Sequence, residues 1–301
     1  MSANQVVAGD VTSIKKSTGR SIISLSTRER INRAFIYLGL IISSAVVGFP
    51  VYWMISVSLR PNHETFALPP KLIPDNISFD AYFKVFRDDA FITYFVNSYM
   101  LGIIVTILSV ILGTLVAYSF TRYRFFGDGI AKTFVITTQM VPAITLLIPY
   151  FGVIVLLGLY DTTAGLILTY LSFSLPYCIV MMTGYLKTIP KDFDEAAIID
   201  GCSRIKVLYK IIMPLALPGM ASTAIYTFLL SWNEFLFALA LTRSEDMRTL
   251  PVGISMFIGE HSLKWDEMMA LSALGSIPVI IMFIVLQRYF VSGLSTGGVK
   301  G

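Results

Sequence analysis

Six long apolar runs, at about 34–57, 92–120, 131–157, 162–186, 219–242 and 270–291, are separated by short polar segments. Each supplies the roughly 20 residues that an α-helix rising 1.5 Å per residue needs to cross about 30 Å of hydrocarbon. Polar turns cannot lie in lipid, so the segments between the runs must project into water or into a partner. The fold class predicted is all-α and integral to the membrane, with six transmembrane helices. A span domain over 34–291 lies between a polar N-terminal tail, 1–33, and a short C-terminal tail, 292–301. With 14% charged residues, the chain falls well below the roughly 25% of a soluble domain. A net charge of +4 is too small to suggest nucleic acid.

An even number of spans puts both termini on one side. Basic residues decide which side, because cytoplasmic segments are enriched in Lys and Arg. Of the 23 Lys and Arg, 16 lie in the two tails, at Arg288 near the end of the last run, at Arg122–Lys132 and at Lys187–Lys210, all on the side of the termini; the other 7 lie in 58–91 and 243–269. The termini are therefore expected in the cytoplasm, with the protein crossing its membrane as a multi-pass chain. The N-terminal tail lacks the form of a cleavable signal: its basic lead is long, and the apolar run behind it is long enough to span.

The segment 187–218, on the cytoplasmic side, is a charged insert between apolar runs. Asp192, Asp194 and Glu195 suit the positive end of a helix, and Asp192 with Glu195 has the spacing of a capping box. Gly201 is predicted to end that helix in a left-handed conformation. Ser203 then caps a second helix, Arg204 to Met213, and Pro214 and Pro218 lead into the next apolar run. A solvated loop has no need of Ala196, Ala197, Ile198 and Ile199 beside a tight turn, whereas helix-in-groove docking does.

Within the spans, Pro142 and Pro149 in one run predict a kinked, cavity-lining helix. Gly102 and Gly113 allow close helix approach. Trp232, Asn233 and Glu234 lie in the fifth run, where a carboxylate is costly unless it faces water or a donor. Two readings are open for them, a hydrogen bond between helices or the lining of a pathway. Trp beside Asn and Glu also makes an apt sugar surface. Cys178 and Cys202 have no metal or redox spacing, and no disulfide or metal site is expected. Gly293 to Gly297 matches GxSxG in letters, but a nucleophile elbow needs a strand, a turn and a histidine in reach. No Gly-Lys pair occurs anywhere, so the chain has no Walker A loop and is not expected to be an enzyme.

Glu195-Ala196-Ala197, Gly201, Ile211 and Met213-Pro214 resemble the EAA loop of permease subunits of binding-protein-dependent ABC importers, with Met213 in place of the usual Leu. Leu68-Pro69-Pro70, Trp232-Asn233-Glu234-Phe235 and the end from Gly293 to Gly301 are similar to the carbohydrate branch, of maltose and multiple-sugar type. The resemblance implies a type I importer permease (MetI-like) fold. It implies docking onto an ATP-binding subunit through Glu195, Ala196, Ala197, Asp200 and Gly201. It also implies tail contacts to that subunit through Ser295, Gly297, Gly298 and Lys300, and a substrate pathway including Trp232, Asn233 and Glu234. The implied partners are a second homologous permease, two ATP-binding subunits, an extracytoplasmic solute-binding protein, a sugar or related polyol, and membrane lipid. ATP and Mg would be bound by the partner ATPases, with no cofactor in this chain. The alternative is a stand-alone secondary transporter using Glu234 for proton coupling.

Overall fold

The computed structural model describes residues 27–65, 67, 69–257 and 264–297. The chain divides into two units, Met1–Pro50 and Val51–Gly301. The described part of the first unit is helical, the beginning of α1 (Thr27–Ser58), with Pro50 inside the helix. The second unit continues with α2 (Asn62–Thr65), α3 (Asp80–Arg87), α4 (Asp89–Arg122), α5 (Asp128–Thr138) and α6 (Leu147–Leu156). Then come α7 (Thr163–Leu186), α8 (Asp192–Ile199), α9 (Arg204–Val207), α10 (Met213–Trp232), α11 (Leu236–Leu241), α12 (Leu250–Met256) and α13 (Trp265–Gly297). Among the described residues there is no strand.

The second unit is built around α4, which packs against α7 and α10. Missing side chains make this possible. A Cβ on Gly113 would lie 2.7 Å from the Cβ of Cys178 on α7, and one on Gly102 would lie 2.8 Å from the Phe228 ring on α10. Hydroxyls join the same helices. Ser109 and Ser174 share a hydrogen bond of 2.7 Å between α4 and α7, and Thr227 on α10 meets the Cys178 sulfur at 3.1 Å. Lipid tails are as apolar as leucine, so close backbone approach and hydrogen bonds must hold such helices together. Both cysteines are free.

Among the described residues five helices are long and apolar enough to span, and a bent pair, counted as one span, makes a sixth. Three run limits need correction. The run 131–157 is not one kinked helix: α5 and the helical segment Ala143–Leu156 meet at 99°. Pro142 sits in the break, where it donates no hydrogen bond and pushes the preceding residue out of helical geometry. Pro149 falls in the first turn of α6, where proline is tolerated. The run 219–242 is also interrupted. A continuous helical stretch, Arg204–Trp232, begins well before it and ends inside it. Pro214 and Pro218 do not part the polar insert from the span. Instead Leu208–Ile212 widens into a π-helical turn just ahead of Pro214, which has no N–H for the carbonyl four residues back. Finally, α13 begins at Trp265 and runs through Gly297, so the tail from residue 292 starts as helix. Its GxSxG letters lie in that helix, without the strand and turn an elbow requires.

Candidate functional site: a membrane-embedded cavity and a polar hairpin

The hairpin begins with α8. Its capping box does not form: Lys191 holds the N-cap position in helical geometry, with no side-chain cap. The other end follows expectation. Gly201 has φ +82. Its N–H donates to the Ile198 carbonyl at 3.0 Å, and the Cys202 N–H reaches back to the Ala197 carbonyl at 2.9 Å. These two bonds make a Schellman turn, which closes the last carbonyls of the helix. The Ser203 hydroxyl accepts from the Lys206 N–H at 3.4 Å and caps α9.

The hairpin has two faces. Its root is buried, with Ala197, Val207, Leu208 and Ile212 packed on Ala117, Tyr118, Met182 and Leu186. Its outer face holds Glu195, Ala196 and Asp200 exposed. Beside them Ile199 is 85% and Ile205 71% exposed. A shallow groove of about 500 Å³ runs along this side, lined by Phe193, Ala196, Asp200, Cys202 and Ile211 among others. Exposed isoleucines beside a tight polar turn suit a partner surface.

The other end of the Arg204–Trp232 helix meets a cavity of about 1040 Å³. The two chain breaks form its walls. Gln139 and Pro142 come from the α5–α6 break, Asn233 and Glu234 from the break after α10, and Phe173, Tyr177, Tyr226 and Leu229 from α7 and α10. Tyr177 and Tyr226 stack with centroids 4.1 Å apart. Among the described residues lining it there is one carboxylate, Glu234, and no Lys, Arg or His.

The break at Asn233–Phe235 has a local cause. The Asn233 side-chain amide donates to the Leu229 carbonyl at 2.8 Å, at the end of α10. Glu234 then starts the next helix: Oε1 accepts from the Phe237 N–H at 2.8 Å and Oε2 from the Ala238 N–H at 3.0 Å. A carboxylate facing free N–H groups at a helix start neutralises both costs of placing each in an apolar region. Trp232 does not join its neighbours. It is 4% exposed, stacked on Phe228 at 5.6 Å and edge-on to Tyr99 at 5.3 Å. The three consecutive residues therefore divide: Trp232 lies in the helix packing, while Asn233 and Glu234 line the cavity. Tyr177 and Tyr226 supply the aromatic surface that the sequence had suggested for Trp232. Nothing in one sequence pairs two tyrosines from different helices.

Of the predicted tail residues, Ser295 and Gly297 lie in α13, and Gly298 and Lys300 fall outside the described residues. Of the Leu68-Pro69-Pro70 loop, Leu68 is also outside them. On that loop α3 packs on α13, with Lys84 3.3 Å from Glu267. Asp161, between α6 and α7, was not singled out by sequence. Its φ is +57, and its Oδ1 accepts from the N–H of Arg243 at 2.7 Å and of Ser244 at 3.0 Å. The Arg243 N–H, with that of Ser244, holds its carboxyl below the usual value.

The known proteins that resemble this chain agree with one another. The family profile "Binding-protein-dependent transport system inner membrane component" matches residues 109–296. The trehalose/maltose transport system permease protein MalG of Thermococcus litoralis is 38% identical over 276 residues, covering 91% of this chain and 99% of the relative. The trehalose transport system permease protein SugB of Mycobacterium tuberculosis is 37% identical over 268 residues, covering 87% and 96%. Among solved structures, a bacterial ABC transporter involved in import of the acidic polysaccharide alginate superposes with a TM-score of 0.77 at 26% identity, covering 88% of this chain and 98% of that one. The MetNI methionine ABC transporter, at 18% identity and a TM-score of 0.54, shares the fold. With its all-helical spans, cavity and hairpin, this chain belongs to the family of inner membrane components of binding-protein-dependent transport systems: it is an ABC importer permease.

Proposed function

We propose that the chain forms half of the translocation pathway of an ATP-driven importer for a sugar, an oligosaccharide, disaccharide or related polyol. A second homologous permease supplies the other half. Two ATP-binding subunits bind on the cytoplasmic side and hold the ATP and Mg, and an extracytoplasmic binding protein delivers the solute. Both termini and the hairpin face the cytoplasm. The observation that carries this reading is the helix Arg204–Trp232, which starts in the hairpin and ends at the cavity wall. Its 29 residues reach about 43 Å at 1.5 Å per residue. Closure of the ATPases against Glu195, Ala196, Asp200 and the Gly201 turn would be transmitted along it to Tyr226 and Asn233.

The cavity suits an uncharged polyhydroxyl solute. Tyrosine faces cover C–H patches, and the amides of Gln139 and Asn233 offer hydrogen bonds. The likeness to permeases of binding-protein-dependent systems, together with the exposed hairpin face, disfavours a stand-alone secondary transporter that uses Glu234 for proton coupling. The test is uptake by the complete complex in proteoliposomes, with maltose and trehalose as labelled probes. Uptake that requires ATP, the ATP-binding subunits and the binding protein supports the proposal. Uptake driven by a proton gradient without the ATPase would overturn it.

A further inference from the structure

The end of α4 meets the root of the hairpin through a buried polar cluster. Arg122, the last residue of α4, places Nε 2.9 Å from Oδ2 of Asp194 in α8, with the two side chains only 6% and 11% exposed. The Tyr118 hydroxyl, one turn earlier on α4, donates to the other oxygen of Asp194 at 2.9 Å. The rest of the Arg122 guanidinium turns to the end of α7, donating to the Ile189 carbonyl at 3.0 Å and more weakly to Leu186 at 3.5 Å. One cation thus serves the last carbonyl of α7, a carbonyl of the turn that follows it and the N-terminal carboxylate of α8, on the sides that the two helix dipoles favour. Arg204, at the start of α9, lies over the Tyr123 ring at 5.1 Å, and Tyr123 meets Tyr118 edge-on at 5.9 Å.

Such a buried pair is a weak source of stability, because desolvating two charges offsets most of their attraction. What it supplies is geometry: a buried joint between α4, the end of α7 and α8, sealed by the apolar root of the hairpin. The docking face, by contrast, holds Glu195 and Asp200 in solvent. Asp194 therefore stands one residue from the docking acid, with the opposite orientation.

We propose that Arg122, Tyr118 and Asp194 are positioning residues forming a latch that makes the hairpin move as one piece with α4 and α7, and so sets how much solute is carried per ATP hydrolysed. This rests on the reading that the hairpin receives the ATPase stroke. With the latch intact, a push on the outer face shifts α4, against which both cavity-lining helices α7 and α10 pack. With it open, α8 can yield while α4 and α7 stay behind.

The test uses the whole complex in proteoliposomes and reads three quantities: ATP-binding subunit retained on purification, ATP hydrolysis, and solute taken up per ATP. Asp194→Asn removes the charge and keeps the shape; Tyr118→Phe removes one hydroxyl and is the gentler variant should the first fail to assemble. Both are expected to retain the ATP-binding subunit and hydrolyse ATP, with uptake per ATP down by about fivefold or more for Asp194→Asn and by less for Tyr118→Phe. Asp194→Glu, which keeps the charge, recovers most of the loss. Unchanged uptake per ATP in Tyr118→Phe and in any assembled Asp194→Asn complex overturns the latch. Loss of the ATP-binding subunit in proportion to uptake overturns it too, since Asp194 would then be part of the dock. If the wild-type chain never retains an ATP-binding subunit, the broader reading of the hairpin fails, and the latch with it.

Discussion

The two ends of the helix Arg204–Trp232 are closed by different means. At the hairpin the chain turns into the helix on the Gly201 backbone, φ +82 with nothing within 4 Å of where its Cβ would be, and the exposed Ser203 hydroxyl caps the first turn. At the break after α10 there is no glycine or proline, and the chain is turned by side chains, Asn233 on the Leu229 carbonyl and Glu234 on the N–H groups of Phe237 and Ala238. The first device costs little and needs only one residue type in an open place. The second puts a charge in an apolar region and depends on every bond being made. The hairpin turn should therefore tolerate substitution better than the cavity break.

The largest effect is expected at the break. Glu234→Ala leaves the N–H groups of Phe237 and Ala238 without acceptors, at a cost of about 2–4 kcal/mol for the two. The complex should lose thermal stability and assemble in lower yield, while Glu234→Gln, with one acceptor left, loses about half as much. Equal stability of all three proteins would remove the distinction between the two ends. At the hairpin, Gly201→Val meets no steric obstacle and should cost only the left-handed penalty, about 1–2 kcal/mol, with Gly201→Asn milder still. A loss at Gly201 exceeding that at Glu234, measured by the same thermal unfolding, would reverse the order.

The smallest effect concerns Asp161, a side-chain device like Glu234 but half-buried in a loop. Its carboxyl is held below the ordinary 3.8 by the Arg243 and Ser244 N–H groups. A depressed folded pKa contributes stability that is complete above the unfolded value and disappears as pH falls through the folded value. Wild type should therefore lose thermal stability on acidification in that window by more than Asp161→Asn does. Parallel pH profiles would show that the loop after α11 is held by other contacts.

What could be read from the sequence follows the same division. The Gly201 turn and the Ser203 cap are local, and glycine and serine announce them. Apolar run length announced the spans, and Gly102 and Gly113 announced close packing. The α10 break was hidden because Ser231 to Phe235 lies in an apolar run with no breaker residue. The continuity of the Arg204–Trp232 helix was hidden by Pro214, ahead of which the helix widens into a π turn instead of stopping. Arg122 counted only as one more basic residue near the membrane, and Asp194 as one more acid at a helix front. Their pairing spans 72 positions, a separation over which neither residue type nor spacing carries a signal. The Tyr177–Tyr226 stack was hidden for the same reason.

The central claim is that the hairpin and the cavity wall are two ends of one stiff element. The π turn at Leu208–Ile212 is the place where it would flex, but Leu208 and Ile212 are buried in the hairpin root, which should hold it. Spin labels at Ile205, on the exposed face of α9, and at Leu229, on the cavity wall, report this directly in the assembled importer. The account predicts the same distance between them without nucleotide and with ATP bound, while the distance from either label to the partner permease changes. A change between Ile205 and Leu229 on ATP binding, with the cavity wall unmoved, would contradict it.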